Sequence, residues 1–187
     1  TANNGVFVVS STDHGATWGP AVAVASNVYT GTSVPFETYP TMAADTSPTL
    51  ADGHTPNPNY GSLYVAWSRF YPAGQFPGQP HSTSGSDVLL AVSRDGGLHW
   101  TTQTQTDPDT GLTRSVILDP RYKDNGTGGT GRGFVTFPTV SVGHGGDVFV
   151  STYAAGNFVV YHSADGGRHF TAPNYDSQTG LVFPTLN

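Results

Sequence analysis

Hydrophobic residues come in short runs along this chain, and no run has a helical period. Each run is rich in Val, Leu, Phe or Tyr and is bounded by Gly, Pro or Asp, which is the pattern of β-strands. Asp, Asn, Gly, Pro, Ser and Thr are plentiful between the runs and favour turns over helices. The sequence therefore predicts an all-β fold, with strands at residues 6–10, 63–67, 88–93, 148–153 and 158–162.

A larger unit repeats along the chain. Three segments begin with aromatic-Pro-Thr, namely "YPTMAAD" (39–45), "FPTVSVG" (137–143) and "FPTLN" (183–187). After the first two come the matching pairs "GSLYVAWS" (61–68) with "GDVFVSTY" (146–153), and "SDVLLAVSRDGGLHW" (86–100) with "GNFVVYHSADGGRHF" (156–170). One unit is thus a strand A, a strand B, a strand C, a turn and a strand D. Four antiparallel strands per unit predict the blade of a β-propeller, with strand A innermost.

The register of the repeat divides the chain into blades. Residues 1–37 are interpreted as strands C and D of a first blade, 38–136 as a second blade with long loops, 137–182 as a third, and 183–187 as the start of a next inner strand. Because a closed propeller has four to eight blades, we expect only part of a ring. Open blade edges invite association, so the expected partner is the rest of the propeller or another protein chain. Pro40 and Pro138 are expected at strand starts, where a missing N–H is tolerated.

A turn motif, S-x-D-x-G-x-x-W/F, occurs three times, each time after an apolar strand. We expect its Ser and Asp to accept backbone hydrogen bonds, its Gly to adopt positive φ, and its aromatic residue to re-enter the apolar layer as a buried anchor. Catalytic acids or calcium ligands are the alternative for the three aspartates, but repetition in every unit favours a structural role. The motif residues are Ser11, Asp13, Gly15 and Trp18; Ser93, Asp95, Gly97 and Trp100; and Ser163, Asp165, Gly167 and Phe170.

With these residues the motif resembles the Asp-box, or BNR repeat, of sialidase-like β-propellers, and the resemblance covers nearly the whole chain. It implies an extracellular or cell-surface protein with a possible glycan ligand. A sialidase is expected to carry three arginines, a Tyr–Glu pair and an Asp acid, with its first arginine in a Phe-Arg-Ile-Pro segment at strand A. The corresponding segments here begin at Tyr39, Phe137 and Phe183, and none contains that arginine.

Two functions follow from this departure. The first is a noncatalytic module that binds glycan or protein or builds a surface assembly. The second is a sialidase-like glycoside hydrolase whose remaining catalytic groups lie on blades outside this chain.

Ligands are expected at the end of the blades opposite the Asp turns, where the long loops 26–38, 69–86 and 119–136 lie. The catalytic candidates there are Glu37, Tyr39, Arg69 and Asp87, and the further ligand-face candidates are Tyr71, His81, Arg121 and Arg132. Glu37 is the only glutamate in the chain, and it lies two residues before Tyr39.

Charge and composition narrow the partners. The net charge is −6 and the seven Lys and Arg residues are scattered, which argues against nucleic acid and against an anionic membrane surface. The chain has no cysteine, and no apolar run approaches the ~20 residues that span a bilayer. No cofactor or metal is predicted. Calcium is the one ion that Asp45 and Asp52, or Asp107 and Asp109, could bind, but these aspartates lack a regular series of ligands.

Overall fold

The computed structural model describes residues 4–28, 34–72, 85–106, 113–117, 135–154, 157–171, 174–175 and 182–183. All regular structure within these residues is β-strand, which confirms the all-β prediction. The strands are β1 (Asn4–Val8), β2 (Val22–Asn27), β3 (Phe36–Ala44), β4 (Leu63–Tyr71), β5 (Gly85–Ser93), β6 (Thr101–Thr102), β7 (Thr104–Thr106), β8 (Thr113–Ser115), β9 (Val135–Val142), β10 (Val148–Ala154), β11 (Asn157–Ser163), β12 (Asn174–Tyr175) and β13 (Val182–Phe183).

The described strands form several antiparallel sheets. The largest has the order β3-β4-β5-β6 and is called the central sheet below. The strands β1 and β2 pair with each other, a three-stranded sheet has the order β11-β10-β9, and β7–β8 and β12–β13 are short two-stranded sheets. The pairing of residues 39–45 with 62–68 that the repeat predicts is present, with Thr41 opposite Ala66 and Ala44 opposite Leu63.

The central sheet is covered on both faces. Tyr64 and Ala66 belong to an apolar cluster shared with β9, β10 and β11, whereas Val65 and Trp67 belong to a second cluster shared with β1 and β2. Successive side chains of a strand point to opposite faces, so a strand buried on both sides must be apolar at nearly every position. This explains the continuous apolar run at the start of β4.

The aromatic-Pro pairs correct the prediction for the two prolines. Strand β3 begins at Phe36 and β9 at Val135, so Pro40 and Pro138 lie inside strands and not at their starts. The register of β3 against β4 shifts between Thr38 and Thr41, and that of β9 against β10 shifts at the equivalent place. Each aromatic-Pro pair therefore lies opposite a single residue of the neighbouring strand and forms a β-bulge, which is a site where a strand tolerates proline.

The aromatic residue of the first turn motif is also not where the sequence places it. Trp18 is 63% exposed, whereas Trp100 and Phe170 are partly buried against the two apolar clusters. The Trp18 side chain lies over Gly15, and the Trp100 side chain lies over Gly97 in the same way. The first two turns therefore have the same local structure. The difference is that no other sheet of the described residues covers Trp18.

The loop between β3 and β4 packs against the third turn motif. Asn57 Nδ2 donates to Asp45 Oδ2 at 2.8 Å, and the backbone N–H of Asn59 donates to Asn57 Oδ1 at 2.9 Å. The carboxamide of Asn59 lies against Gly166, where an added Cβ would be 2.4 Å from Asn59 Cγ. Loop and turn therefore fit each other only because residue 166 has no side chain.

No helix in the described part of the chain has the length and apolar character that crossing a membrane requires.

Candidate functional site

Three charged side chains lie side by side on three neighbouring strands. Glu37 of β3 is opposite Arg69 of β4, and Arg69 is opposite Asp87 of β5. Their parity along the strands puts them on the face that packs towards β1 and β2, because Arg69 shares the side of Val65 and Trp67. The sheet thus brings together three of the four catalytic candidates, and we call Glu37, Arg69 and Asp87 the charged row.

The charged row belongs to one sheet and not to the repeat. In the β9–β10–β11 sheet, Ala154 is opposite both Val135 and Asn157, and these are the positions equivalent to the row. None of those three residues carries a charge. An antiparallel sheet built from the same repeat therefore forms without the charged row, and the row is a particular feature of the central sheet.

Glu37 is the most constrained member of the row. Its side chain is 0% exposed, and Oε1 lies 2.7 Å from Arg69 Nε and 2.6 Å from Arg69 Nη2. Asn27 Nδ2 donates to Oε1 at 2.8 Å, and Trp67 Nε1 donates to Oε2 at 2.6 Å. Three donors thus bind Oε1 and one binds Oε2, out of the roughly four lone-pair sites of a carboxylate. Glu37 therefore holds its neighbours in place and has no oxygen turned to an open space.

The same residue joins the central sheet to β1 and β2. The backbone N–H of Glu37 donates to Asn4 Oδ1 at 2.9 Å, and Asn4 Nδ2 donates to the carbonyl of Pro35 at 3.2 Å. Asn27, which donates to the carboxylate, ends β2. Asn4 and Asn27 are paired with each other, so one end of the β1–β2 pair binds the start of β3 at both its backbone and its side chain.

Burial and neighbouring charges shift the pKa values of Arg69, Asp87 and Tyr71. Burial alone would lower the pKa of Arg69, but the hydrogen bond and the negative charge of Glu37 outweigh it and raise that pKa. Burial raises the pKa of Asp87 to about 6, although the charges of Arg114 and Arg69 and a hydrogen bond with Tyr71 oppose the rise. Burial, with the charge of Asp87 next, raises the pKa of Tyr71 to about 12. The protonation of Asp87 therefore changes near pH 6.

The bound cation of Arg69 lies between the two strands that carry the carboxylates of the row. Glu37 and Asp87 are two strands apart, which separates their backbones by about 10 Å. Carboxyl groups that cleave a glycosidic bond flank a space open to the sugar, at roughly 5–10 Å from each other. Here the guanidinium of Arg69 lies between the two strands and is bound to Glu37.

Tyr39 is not part of the charged row. It lies in the β3 bulge with a φ of 53°, and Phe137 in the β9 bulge also has a φ of 53°. The centroids of the Tyr39 and Phe137 rings are 4.7 Å apart, and that of Phe70 is 6.5 Å from the Tyr39 ring. Phe70 in turn stacks on Phe36 at 5.0 Å. Phe137 shares the aromatic-Pro-Thr motif with Tyr39, but only Tyr39 is among the site residues that the sequence predicts.

The second turn motif shows how its residues are used. Ser93 Oγ donates to Asp95 Oδ1 at 2.8 Å and accepts the N–H of Gly97 at 2.9 Å, where φ is 92°. The N–H of His99 donates to Asp95 Oδ1 at 3.0 Å, and His99 Nδ1 lies 2.6 Å from Asp95 Oδ2. Hydrogen bonds from His99 and Ser93 lower the pKa of Asp95. Both carboxylate oxygens are thus engaged within the turn.

The other two turns have the same hydrogen bonds. Thr17 takes the place of the histidine in the first turn, and its backbone and side-chain bonds hold the pKa of Asp13 at about 2. In the third turn burial raises the pKa of Asp165, but hydrogen bonds from His169 and Ser163 outweigh it and lower that pKa. The matching contacts are Ser11 Oγ to Asp13 Oδ1 at 2.7 Å, Gly15 N–H to Ser11 Oγ at 2.8 Å, Ser163 Oγ to Asp165 Oδ1 at 2.8 Å, and Gly167 N–H to Ser163 Oγ at 2.9 Å.

Among the described residues, no three carboxylate or imidazole groups are close enough together to hold a metal ion. Asp45 accepts from the N–H of Ser47 at 3.0 Å and from Asn57, and Asp52 accepts from the N–H groups of His54 and Thr55. Asp45 and Asp52, the two calcium candidates within the described residues, are therefore turn residues of one loop. His81, Arg121, Arg132, Asp107 and Asp109 lie outside the described residues.

Two polar partners of the site had no sequence signal. Asn27 ends a short strand that contains no motif, and Arg114 of β8 belongs to no repeat that the sequence displays.

No protein-family model matches the sequence, and a search of curated proteins found no similar one.

Proposed function

We propose that this chain is part of an Asp-box β-propeller of the sialidase-like kind. The observation that carries this proposal is that three turns with the same Ser–Asp–Gly hydrogen bonds follow the equivalent strand in three neighbouring sheets. The stacking of β1–β2 and β9–β10–β11 on opposite faces of the central sheet also supports it. In this interpretation the three sheets are successive blades, and β3 and β9 are their innermost strands.

The module is noncatalytic, acts outside the cell or at its surface, and binds glycan or protein or builds a surface assembly. The noncatalytic assignment is supported by the environment of Glu37. Its carboxylate is fully buried and accepts hydrogen bonds from four donors. A nucleophile or a general base must reach the substrate within hydrogen-bonding distance. Glu37 is engaged by the protein itself, and the strand-A arginine of a sialidase is absent from all three aromatic-Pro-Thr segments.

A glycoside hydrolase completed by blades outside this chain is the second candidate. The observation that favours it is Asp87, because burial raises its pKa to about 6 and a general acid is most useful with a pKa near the working pH.

The outer surface of the β1–β2 pair, with Phe7 and Trp18 exposed, is where we place the partner, namely the rest of the propeller or another chain.

Turnover distinguishes the two candidates. The protein is incubated with fluorogenic sialoside, galactoside, glucoside and N-acetylglucosaminide substrates, alongside the Asp87→Asn variant. The noncatalytic module releases no fluorophore above the rate without protein. Turnover that Asp87→Asn abolishes in a variant at least as stable as the wild type would establish the hydrolase instead.

A further inference from the structure

Four aromatic rings form a continuous patch at one end of the central sheet. Phe36, Phe70, Tyr39 and Phe137 contact one another in that order, with ring centroids 5.0, 6.5 and 4.7 Å apart. Phe36, Tyr39 and Phe137 are 49, 48 and 52% exposed. We call these four residues the aromatic platform. Large apolar side chains that share one exposed patch usually mark an interaction site.

The backbone under the aromatic platform is strained in the same way twice. Tyr39 and Phe137 both have a φ of 53°, a left-handed conformation that costs a residue with a side chain roughly 1–2 kcal/mol. Each is followed by proline, which further restricts the preceding residue to extended conformations. Strain of this kind persists only where the surroundings enforce it, and it is concentrated at binding sites.

Polar contacts hold the two strained residues in fixed positions relative to each other. Thr41 Oγ1 donates to the carbonyl of Pro138 at 3.3 Å and accepts the N–H of Val140 at 3.2 Å, which ties β3 to β9. On the other side of Phe137, Ser86 Oγ donates to the carbonyl of Val135 at 2.8 Å. The rings of Tyr39 and Phe137 are thus presented by a preformed scaffold, which lowers the entropic cost of binding.

The size of the aromatic platform selects a small ligand. Three aromatic residues that are each about half exposed offer roughly 300 Å² of accessible surface. A stable protein–protein interface buries about 800 Å² on each partner. The aromatic platform therefore matches a ligand with one or a few flat apolar faces, such as the C–H face of a pyranose ring, better than it matches a folded protein.

Among the described residues, the charges near the aromatic platform favour a neutral ligand. Arg69 is the one cationic residue of β3, β4 and β9, and its guanidinium is bound to Glu37 on the opposite face of the central sheet. The chain has a net charge of −6, which repels anions. A nucleobase could also stack on these rings, but nucleic-acid binding requires a basic groove for the phosphates.

We propose that the aromatic platform is a stacking site for a neutral saccharide. This inference rests on the proposed noncatalytic binding function and names its ligand class. Hydroxyl-rich sugars without a carboxylate are the ligands, so a sialylated sugar binds no better than its neutral counterpart.

The test uses the 187-residue chain and an immobilised panel of neutral oligosaccharides of glucose, galactose, mannose and N-acetylglucosamine. Lactose and sialyllactose form a matched pair, and a proline-rich decapeptide represents a peptide ligand. Tyr39→Asn and Phe137→Asn remove the rings, and asparagine tolerates left-handed backbone better than most residues. Phe158→Asn is the control, because Phe158 is 75% exposed but lies outside the aromatic platform.

We expect at least one neutral saccharide to bind, with affinity reduced at least tenfold in Tyr39→Asn and in Phe137→Asn and unchanged in Phe158→Asn. Melting temperatures of the two platform variants should be equal to or higher than that of the wild type. Saccharide binding that both variants retain would overturn the platform while leaving a glycan-binding module in place. No binding to the panel, exclusive binding of sialyllactose, or binding of the decapeptide alone would overturn the neutral-saccharide assignment. Release of sugar during the assay would overturn the noncatalytic function instead.

Discussion

Removing the Glu37 carboxylate should destabilise the protein far more than removal of a surface charge does. In Glu37→Ala, the guanidinium of Arg69 and the indole N–H of Trp67 lose the acceptor to which they are now bound at 2.6–2.7 Å. Breaking a buried ion pair costs about 3–5 kcal/mol. The Arg69 side chain is 22% exposed, so water can recover part of its solvation, and we expect the lower limit of about 3 kcal/mol.

Urea unfolding followed by tryptophan fluorescence measures this free energy directly, and Trp67 reports on the site itself. For a chain of this size, about 3 kcal/mol corresponds to a melting temperature roughly 6–12 °C lower. A double-mutant cycle of Glu37→Gln and Arg69→Met separates the ion pair from packing. The coupling free energy should exceed about 0.5 kcal/mol, as for residues in contact. A cost for Glu37→Ala below about 1 kcal/mol, the range of an exposed pair, would refute a buried network.

Three further predictions address the turns, the charged row and the loop. Ser93→Ala should lower the free energy of unfolding in urea by about 1–3 kcal/mol, because the buried N–H of Gly97 loses its acceptor. Ser11→Ala should cost less, because the equivalent hydrogen bond of the first turn is exposed. Equal costs would contradict this difference in burial. Because the folded protein raises the pKa of Asp87 to about 6 from an unfolded value of about 3.9, the folded state holds the proton more tightly and Asp87 favours folding most below about pH 4, an effect lost as pH rises through 6. Asp87→Asn should therefore be more stable than wild type at pH 7.5, with a gain that vanishes towards pH 4 in urea titrations; a gain independent of pH would count against this. Gly166→Ala and Gly96→Ala both place a side chain at a φ near 70°, but only the first meets a neighbour within 4 Å, so its melting temperature should be the lower of the two; the reverse order would show that the loop does not pack on the third turn.

Much of the strand arrangement could be predicted because it follows from alternation and repetition. The run from Leu63 to Trp67 is apolar at every position, and the structure extends that strand to Tyr71. The two bulges could not be predicted because a proline near a strand is compatible with a strand start and with a bulge. The few residues before Pro40 and Pro138 do not show whether the strand has already begun there. Trp18 was misplaced because a motif describes its own turn and carries no information about which sheet lies opposite.

The site was predictable in its residues but not in its geometry. The sequence predicts Glu37, Arg69 and Asp87 as site residues because they lie at the long loops of the expected ligand face, and the register of three strands brings them into one row. The contribution of Asn27 could not be foreseen, because it depends on how β1 and β2 pack against the central sheet. Side-chain contacts between sheets arise from tertiary packing, and no local pattern in the sequence encodes them.

The charged row and the aromatic platform lie on opposite faces of the central sheet but share the first residues of β3. Glu37 is held from its side chain by Arg69 and Trp67 and from its backbone by Asn4, and four residues later Thr41 is bound to β9. Tyr39 lies between these two anchored positions. A strained conformation needs restraint on both sides, because otherwise the chain relaxes by rotating the neighbouring peptide groups. Phe137 keeps the same φ of 53° although Val135 stands at the position equivalent to Glu37, so the bulge that both strands share sets this conformation. The contacts of Glu37 fix the start of β3 beside Tyr39, which gives the only glutamate of the chain a structural role at the edge of the proposed binding surface.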